Sequence, residues 1–254
     1  MIDENQLLTG LPHFIDVRQL EKNYLQILLL YELYARFEKS LVFKGGTALK
    51  FFYGLDRFSE DLDFTYNEKY ETVKLVNSVE SSIKALGEIY GISGLKRRGT
   101  KSSLDFEVKI EGPLFRSLHT AQAVEINLSM RESLLLEAEK KTMTPVYPDI
   151  GTFFVYVMNI NEIFYEKVRA VLTRRYVKSR DLYDIAYIRQ RYKSFFDVDK
   201  INKKLTYYGK NFSFNEFKRK VDSIDEKSWK SEMSNLVKNV PKYSDVKKHI
   251  LEGL

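Results

Sequence analysis

The sequence predicts an α/β (α+β) protein, in which a sheet flanked by helices is followed by a mainly helical C-terminal part. Two patterns carry this prediction. Apolar residues recur at helical spacing over Asp16–Glu38 and Glu71–Ile89, as in amphipathic helices. They alternate with polar or charged residues over Leu104–Ile110 and Ala123–Leu128, as in half-buried strands. Helices and strands are therefore expected to pack together in this part of the chain.

Shorter elements complete the prediction. Glycines between Gly87 and Gly99 indicate loops after the second long helix. Asn159, with Glu162 three residues later, has the form of a capping box, and Ser179 is predicted to cap the next helix. The remaining predicted elements are strands at Leu41–Phe43, at the segment carrying Asp61 and Asp63, and at Phe153–Met158, and helices at Ala48–Tyr53, Phe214–Val221 and Trp229–Lys238.

Composition is that of an ordinary globular protein. Of the 254 residues, 44% are hydrophobic and 30% are charged, which is enough to bury a sizeable core. The N-terminus lacks the basic and apolar regions of a signal peptide. The most apolar stretch, Leu25–Leu33, is short and contains Glu32, so we expect no membrane span. The absence of cysteine excludes disulfides and thiolate metal sites, and fits a cytoplasmic protein.

Charge is distributed unevenly along the chain. Residues 1–165 carry 19 Lys and Arg against 23 Asp and Glu, whereas residues 166–254 carry 22 against 12. Nine basic residues lie between Lys167 and Lys193, where we expect contact with nucleic acid or a triphosphate. The lysines after Lys200 have two interpretations, a solvated helical surface or a surface that meets an anionic partner.

The stretch Phe43–Leu49 (FKGGTAL) and the stretch Arg57–Phe64 (RFSEDLDF) carry the candidate chemistry. Asp61 and Asp63 are two residues apart on a strand and share one face, and two neighbouring carboxylates favour a bound cation such as Mg²⁺ or Mn²⁺. The glycine turn at Gly45 and Gly46 allows close approach of a ligand. The helix that begins at Thr47 offers N–H groups that suit a phosphate.

Two flanking residues are further candidates for this phosphate site. Arg57 and Ser59 precede the acidic strand and carry side chains that can donate hydrogen bonds to phosphate oxygens. The alternative is that they anchor the loop.

These residues resemble a known family. A Gly-Gly-Thr turn, thirteen residues and then Asp-hydrophobic-Asp resembles the signature of the polymerase-β-like nucleotidyltransferases. The full stretch FKGGTALKFFYGLDRFSEDLDF is similar to the AbiEii/AbiGii branch, toxins of bacterial toxin–antitoxin and abortive-infection systems. A second stretch, EKVRAVLTRRYVKSRDLYDI (Glu166–Ile185), resembles that branch's downstream motif, a Lys on a helix followed by Arg-Asp-x-x-Asp.

The resemblance implies a fold and a metal site. It implies a nucleotidyltransferase core over residues 1–148, with a mixed sheet flanked by helices, and a helical part over residues 149–254 that carries the second motif. It also implies a third metal-binding carboxylate beside Asp61 and Asp63. Glu125 is our candidate, although the wider superfamily usually has Asp there. The competing candidates for the third carboxylate are Asp105, Glu107 and Glu111.

The resemblance further implies roles in nucleotide binding and catalysis. Lys167 would neutralise the triphosphate, and Asp181 would belong to the active site. Without the resemblance, Lys167 would be expected to face solvent, and Asp181 and Asp184 to serve as helix-terminal acids and ion-pair partners. The nucleotide-binding residues that we predict are Gly45, Gly46, Thr47, Arg57, Ser59 and Lys167.

The expected function is metal-dependent transfer of a nucleoside monophosphate from a nucleoside triphosphate to an acceptor hydroxyl. By resemblance the acceptor is an RNA, such as the 3′ end of tRNA, and a cognate antitoxin is an expected partner. Two alternatives remain at this point. One is a nucleotidyltransferase acting on a small molecule, of the antibiotic-modifying type, and the other is a catalytically idle binding protein.

Overall fold

In this computed structural model the described residues are 2–9, 14–66, 72–131 and 133–252. Their strands are β1 (Leu41–Lys44), β2 (Asp61–Tyr66), β3 (Gly91–Gly99), β4 (Ser103–Glu111), β5 (Gln122–Ser129), β6 (Glu139–Met143) and β7 (Phe153–Val157). Their α-helices are α1 (Glu4–Leu8), α2 (Val17–Tyr34), α3 (Gly45–Tyr53), α4 (Thr72–Gly87), α5 (Ile160–Thr173), α6 (Ser179–Tyr192), α7 (Val198–Leu205), α8 (Phe214–Asp222), α9 (Glu226–Met233) and α10 (Tyr243–Leu251).

The strands form one mixed sheet in the order β3-β4-β5-β2-β1-β7-β6. Strand β1 is parallel to β7, and β2 is parallel to β5, whereas the other neighbouring pairs are antiparallel. This confirms the predicted fold class. It also places β2, the strand with the paired acids, in the interior of the sheet between β5 and β1.

The predicted alternation on the strands is confirmed. Every second residue of β4 and β5 is buried, and in β2 the buried residues include Leu62 and Phe64. Helix α2 packs against β5 and β7, and α4 packs against α2 and β3. Helix α2 ends at Tyr34, before the predicted end at Glu38, because the chain turns there with Arg36 and Phe37 both donating to the carbonyl of Leu33.

The prediction of loops between Gly87 and Gly99 is wrong, because Gly91–Gly99 is strand β3. It pairs antiparallel with β4, with an irregularity between Ile92 and Gly94. As an edge strand it contains no buried residue from Gly91 to Gly99, so it shows neither a helical nor an alternating apolar pattern. Further elements that the sequence did not predict are α1, β6, α7 and α10.

Two predicted helix caps need correction. Asn159 is the N-cap of α5 as predicted, but Glu162 does not complete a capping box. Its carboxylate instead accepts from the backbone N–H groups of Leu135 and Leu136, at 2.9 and 2.8 Å. Ser179 does not cap α6 but is its first residue, and its N–H donates to Oε2 of Glu232 at 3.0 Å.

The predicted helix at Trp229–Lys238 is displaced toward the N-terminus. Helix α9 spans Glu226–Met233, with Asp225 as its N-cap, whereas the predicted helix Phe214–Val221 matches α8 closely. Asp225 accepts from the N–H of Ser228 at 2.7 Å, which fixes the start of α9 ahead of Trp229.

The chain divides into two compact units. The first comprises residues 1–48, 58–133 and 138–157 and contains the sheet, and the second comprises residues 49–57, 134–137 and 158–254. A compact unit is not in itself a segment that folds alone, so the division predicted at residue 148 stays a prediction. Nowhere in the described ranges is a helix both long and apolar enough to cross a membrane.

The second unit has its own core. Helix α6 packs against α5, α9 and α10. Trp229 is fully buried and stacks on Tyr243 with ring centroids 4.9 Å apart. Lys204 is 1% exposed, and its Nζ lies 2.5 Å from Oε1 of Glu162. This buried ion pair joins α5 to α7 and explains why Glu162 is unavailable for its own helix cap.

Candidate active site

Asp61 and Asp63 lie on one face of β2, as predicted, and both are half-buried. Asp63 has Lys44 of β1 as its register partner on one side and Asn127 of β5 on the other. The Nδ2 of Asn127 donates to Oδ1 of Asp63 at 3.1 Å, which fixes the orientation of this carboxylate. The site is thus built on neighbouring strands, which hold side chains more rigidly than loops do.

The glycine turn lies against the acidic strand β2. Gly45 has φ +77°, a left-handed conformation that favours glycine, and it is the first residue of α3. A Cβ added there would overlap Oδ2 of Asp63 and lie 3.0 Å from its Cβ. Thr47 is fully buried, and its Oγ1 donates to the carbonyl of Asp61 at 2.5 Å. The start of α3 is therefore fixed against both acidic residues.

Gly45→Ala is expected to lower nucleotide transfer about a hundredfold, because a displacement of about 1 Å at a catalytic group has this effect. The added methyl group would displace the carboxylate of Asp63, and the left-handed backbone would cost a further ~1–2 kcal/mol of stability. Gly209→Ala is the matched control, since Gly209 has φ +61° and nothing within 4 Å of an added Cβ. Turnover measures the loss of activity, and melting temperature measures the loss of stability. Equal activity of the two variants would contradict the placement of Gly45 in the active site.

The acidic face extends over two further strands. Across the sheet, Asp61 of β2 is the register partner of Glu125 of β5, which is in turn the register partner of Glu107 of β4. In the next row, Asp63 pairs with Asn127 of β5, and Asn127 pairs with Asp105 of β4. Glu125 is thus the candidate third carboxylate that directly neighbours Asp61, and its side chain is exposed.

The competing third carboxylates have other neighbours. The oxygens of Glu107 lie 3.4 Å from Nζ of Lys96 and 3.6 Å from Nη2 of Arg98. Burial raises the pKa of Asp105, and the charge of Asp63 adds to the rise, while Arg131 and Arg98 oppose it. In the described ranges no three or more Asp, Glu or His side chains are grouped so that they could hold a metal ion. The assignment of Glu125 therefore stays a prediction.

In the second unit, Lys167 lies in a cluster of charged side chains. Its Nζ is 3.0 Å from Oδ1 of Asp181 and 2.8 Å from Oδ2 of Asp184, and its side chain is 13% exposed. Arg174, seven residues along the chain from Lys167, pairs through Nη1 with the other oxygen of Asp181. Lys167 and Arg174 thus bind the same carboxylate.

Arg57 completes this charged cluster. Its Nε and Nη2 donate to the two oxygens of Asp184 at 2.6 and 2.7 Å, and the residue is 1% exposed. Burial alone would raise the pKa of Asp184, but the charges of Arg57 and Lys167 outweigh it and hold this pKa below its usual value. The guanidinium is therefore used in the loop-anchoring manner that the sequence left open beside phosphate binding.

Ser59 and the lysines of the C-terminal region were also predicted to contact phosphate or an acceptor. Ser59 is half-buried, and its carbonyl accepts from Nε2 of Gln26 at 3.0 Å. In the C-terminal region Lys200 pairs with Asp197, while Lys218 and Lys247 pair with Asp222. Part of the positive charge of the tail is thus neutralised by its own carboxylates, and its predicted contact with an acceptor stays a prediction.

Two side chains form contacts that could not be predicted from the sequence. Asn127 is the register partner of Asp63, and only the parallel pairing of β2 with β5 brings its amide to this carboxylate. Asp184 was expected to form an ion pair, but its partner Arg57 is 127 residues away. No local pattern identifies a partner at that separation.

Comparison with known proteins agrees with this fold. A family model described as "Nucleotidyl transferase AbiEii toxin, Type IV TA system" matches residues 13–249. Among solved structures, MenT4, a nucleotidyltransferase toxin from Mycobacterium tuberculosis H37Rv, is similar with a TM-score of 0.62 at 19% identity, over 97% of this chain and 86% of that one. JHP933 from Helicobacter pylori is similar with a TM-score of 0.59 at 21% identity, over 91% and 88%. No curated protein sequence matches the chain.

Proposed function

Because the chain belongs to the AbiEii family of nucleotidyltransferase toxins of type IV toxin–antitoxin systems, we propose that it transfers a nucleoside monophosphate from a nucleoside triphosphate to a hydroxyl of RNA. The observation that carries this proposal is the placement of Asp61 and Asp63 side by side on β2 with the glycine start of α3 against Asp63. Carboxylates beside a helix N-terminus suit a triphosphate and its cation.

The residues present fit a divalent cation. Mg²⁺ is commonly held by one or two carboxylates together with substrate phosphates and water, and Asp61 and Asp63 provide two hard oxygen donors on one face. We propose that these two residues hold Mg²⁺ or Mn²⁺, with Glu125 as the third ligand. When bound, the cation would polarise the α-phosphate and lower the pKa of the attacking hydroxyl.

The start of α3 is proposed to hold the triphosphate. Its first N–H groups, from Gly45 to Thr47, have no partner within the helix by geometry and suit phosphate oxygens. The hydroxyl of Thr47 bonds the carbonyl of Asp61, so Thr47 keeps the helix start in register with the acidic strand. Ser59, which lies two residues before Asp61, is proposed as a further phosphate donor.

Lys167 is proposed to neutralise negative charge on the triphosphate. In its cluster, the cations of Arg57, Lys167 and Arg174 surround the carboxylates of Asp181 and Asp184. Asp181 and Asp184 hold Lys167 Nζ from two sides. We therefore propose that Asp181 contributes to activity as a positioning residue, and that Arg57 supports the site by fixing Asp184.

RNA is proposed as the acceptor, with tRNA as the first candidate, because the chain carries a net charge of +6 and its C-terminal part is basic. The family also implies an antitoxin as partner. We propose that the protein acts in the cytoplasm, where triphosphates and tRNA are present.

The test is to incubate the protein with Mg²⁺, total cellular RNA and each α-labelled nucleoside triphosphate in turn. We expect label in RNA, its loss on adding EDTA, and its return with excess Mg²⁺. A parallel reaction contains an aminoglycoside in place of RNA. Label in the aminoglycoside alone would overturn the RNA acceptor and leave nucleotide transfer standing, whereas no transfer to either would contradict the proposed reaction.

A further inference from the structure

Edge strand β3 presents two cations on the same face of the sheet as the acidic pair. Lys96 is the register partner of Glu107, and Arg98 is the register partner of Asp105. Through β5, Glu107 aligns with Asp61 and Asp105 aligns with Asp63. Because registered side chains share a face, Lys96 and Arg98 lie on the face that carries the candidate active site.

The strand order also gives the distance between these two cations and the acidic pair. Strand β3 is three strands away from β2, so at about 4.8 Å per strand the backbone at Lys96 and Arg98 lies ~14 Å from that at Asp61 and Asp63. This corresponds to about four nucleotides of a stacked strand at ~3.4 Å each. It is the distance expected for phosphates a few residues upstream of a 3′ end.

The cations are spaced along the sheet edge. Lys109 of β4 lies on the same face, one row beyond Glu107, and is exposed. Lys109, Lys96 and Arg98 therefore occupy successive rows about 7 Å apart, since side chains on one face repeat every second residue. Such a line offers phosphate contacts in three successive rows near this edge of the sheet.

These cations can exchange partners. The side chains of Lys96 and Arg98 are 67% and 70% exposed, and each contacts Glu107 at a distance above 3.3 Å. Ion pairs on the surface contribute little, about 0–1 kcal/mol. A phosphate can therefore replace Glu107 as their partner at small cost.

We propose that Lys96 and Arg98, with Lys109, bind the backbone phosphates of the acceptor RNA just upstream of the 3′ hydroxyl that receives the nucleotide. This inference rests on the proposed function and adds an acceptor-binding surface in the first unit, within the part of the chain that has an excess of acidic residues. The basic C-terminal tail would then not be the sole contact with RNA.

Strand β3 provides a matched control. Arg97 lies between the two proposed ligands but is the register partner of Phe106, so it points to the opposite face. There its Nη1 lies 3.0 Å from Oε1 of Glu80 on α4, and its side chain is 49% exposed. Arg97→Gln removes the same charge from the same strand, on the face away from the acidic pair.

The experiment compares Lys96→Gln/Arg98→Gln with Arg97→Gln and the wild type. For the double variant we expect KM for total tRNA to rise about tenfold, with a smaller change in kcat. Fluorescence anisotropy with labelled total tRNA should show the slope of log K against log salt reduced by about 1.5, since each phosphate contact contributes ~0.7–0.9. Arg97→Gln should match the wild type in both measurements.

The outcomes separate this inference from the proposed function. If the double variant behaves like Arg97→Gln while the wild type labels tRNA, the acceptor surface is overturned and RNA transfer stands. If the wild type neither binds nor labels tRNA, both are overturned. Melting temperatures check folding, and the single variants, each expected to give about half of the slope change, carry the test if the double variant is unstable.

Discussion

Asp61→Asn or Asp63→Asn is expected to lower nucleotide transfer by about a thousandfold, a loss of ~4 kcal/mol of transition-state stabilisation. Each change keeps the shape of the side chain but removes one of the two charges proposed to hold the cation. The hydrogen bond from Asn127 can still be accepted by the amide oxygen of Asn at position 63. Label transferred to RNA per minute, with Mg²⁺ present, measures the effect.

The fold should tolerate both changes. The two carboxylates are on the same face of β2, so removing one charge relieves repulsion between them. Glu60→Gln is the control, because Glu60 adjoins Asp61 in sequence, its side chain is 51% exposed, and its Oε1 lies 3.8 Å from Nζ of Lys22. Activity near the wild-type level in either Asp variant, or a loss of equal size in Glu60→Gln, would contradict the metal assignment.

Asp184→Asn is expected to lower the free energy of unfolding by about 3–5 kcal/mol, because it breaks a buried ion pair from one side. The buried guanidinium of Arg57 would lose the carboxylate that its Nε and Nη2 bind, and Lys167 would lose one of its two carboxylates. Chemical denaturation at neutral pH measures the loss. Asp222→Asn is the matched control: Asp222 also pairs with two lysines, but its side chain is 34% exposed, so a change below ~1 kcal/mol is expected.

The difference in unfolding free energy between the wild type and Asp184→Asn is expected to depend on pH. The pKa of Asp184 is lowered in the folded protein, where the charges of Arg57 and Lys167 outweigh the effect of burial. The unfolded chain, with an aspartate pKa near ~3.9, then binds the proton more readily, so this carboxylate stabilises the fold above about pH 4. The stability difference between wild type and Asp184→Asn should be constant at higher pH and shrink as the pH falls below ~4. A difference that grows on acidification would contradict the direction of the shift.

The placement of the two acids could be predicted from the sequence because it is encoded locally. Alternation of Asp61 and Asp63 with Leu62 and Phe64 is enough to place the acids on one face of a strand and the apolar residues in the core. The glycine turn could be predicted to be a close-approach site, although its contact with Asp63 depends on the pairing of β1 with β2.

The features that could not be predicted from the sequence depend on contacts between segments that are distant along the chain. Strand β3 carries polar residues on both faces because it lies at the sheet edge, so periodicity could not identify it. Glu162 had the correct spacing for a capping box, but a buried Lys204 and two backbone N–H groups bind its carboxylate more completely than its own helix start could. In the same way, the link between Arg57 and Asp184 joins two segments whose sequences give no sign of each other.

The measurement that tests the central claim most directly is the state of tRNA 3′ ends in growing cells that express either the wild type or Asp61→Asn without an antitoxin. We predict growth arrest and tRNA extended at the 3′ end in the wild type, and normal growth with unmodified tRNA in the variant at equal soluble expression. Arrest by both proteins, or normal growth and unmodified tRNA ends with the wild type, would contradict nucleotide transfer to tRNA by this acidic pair.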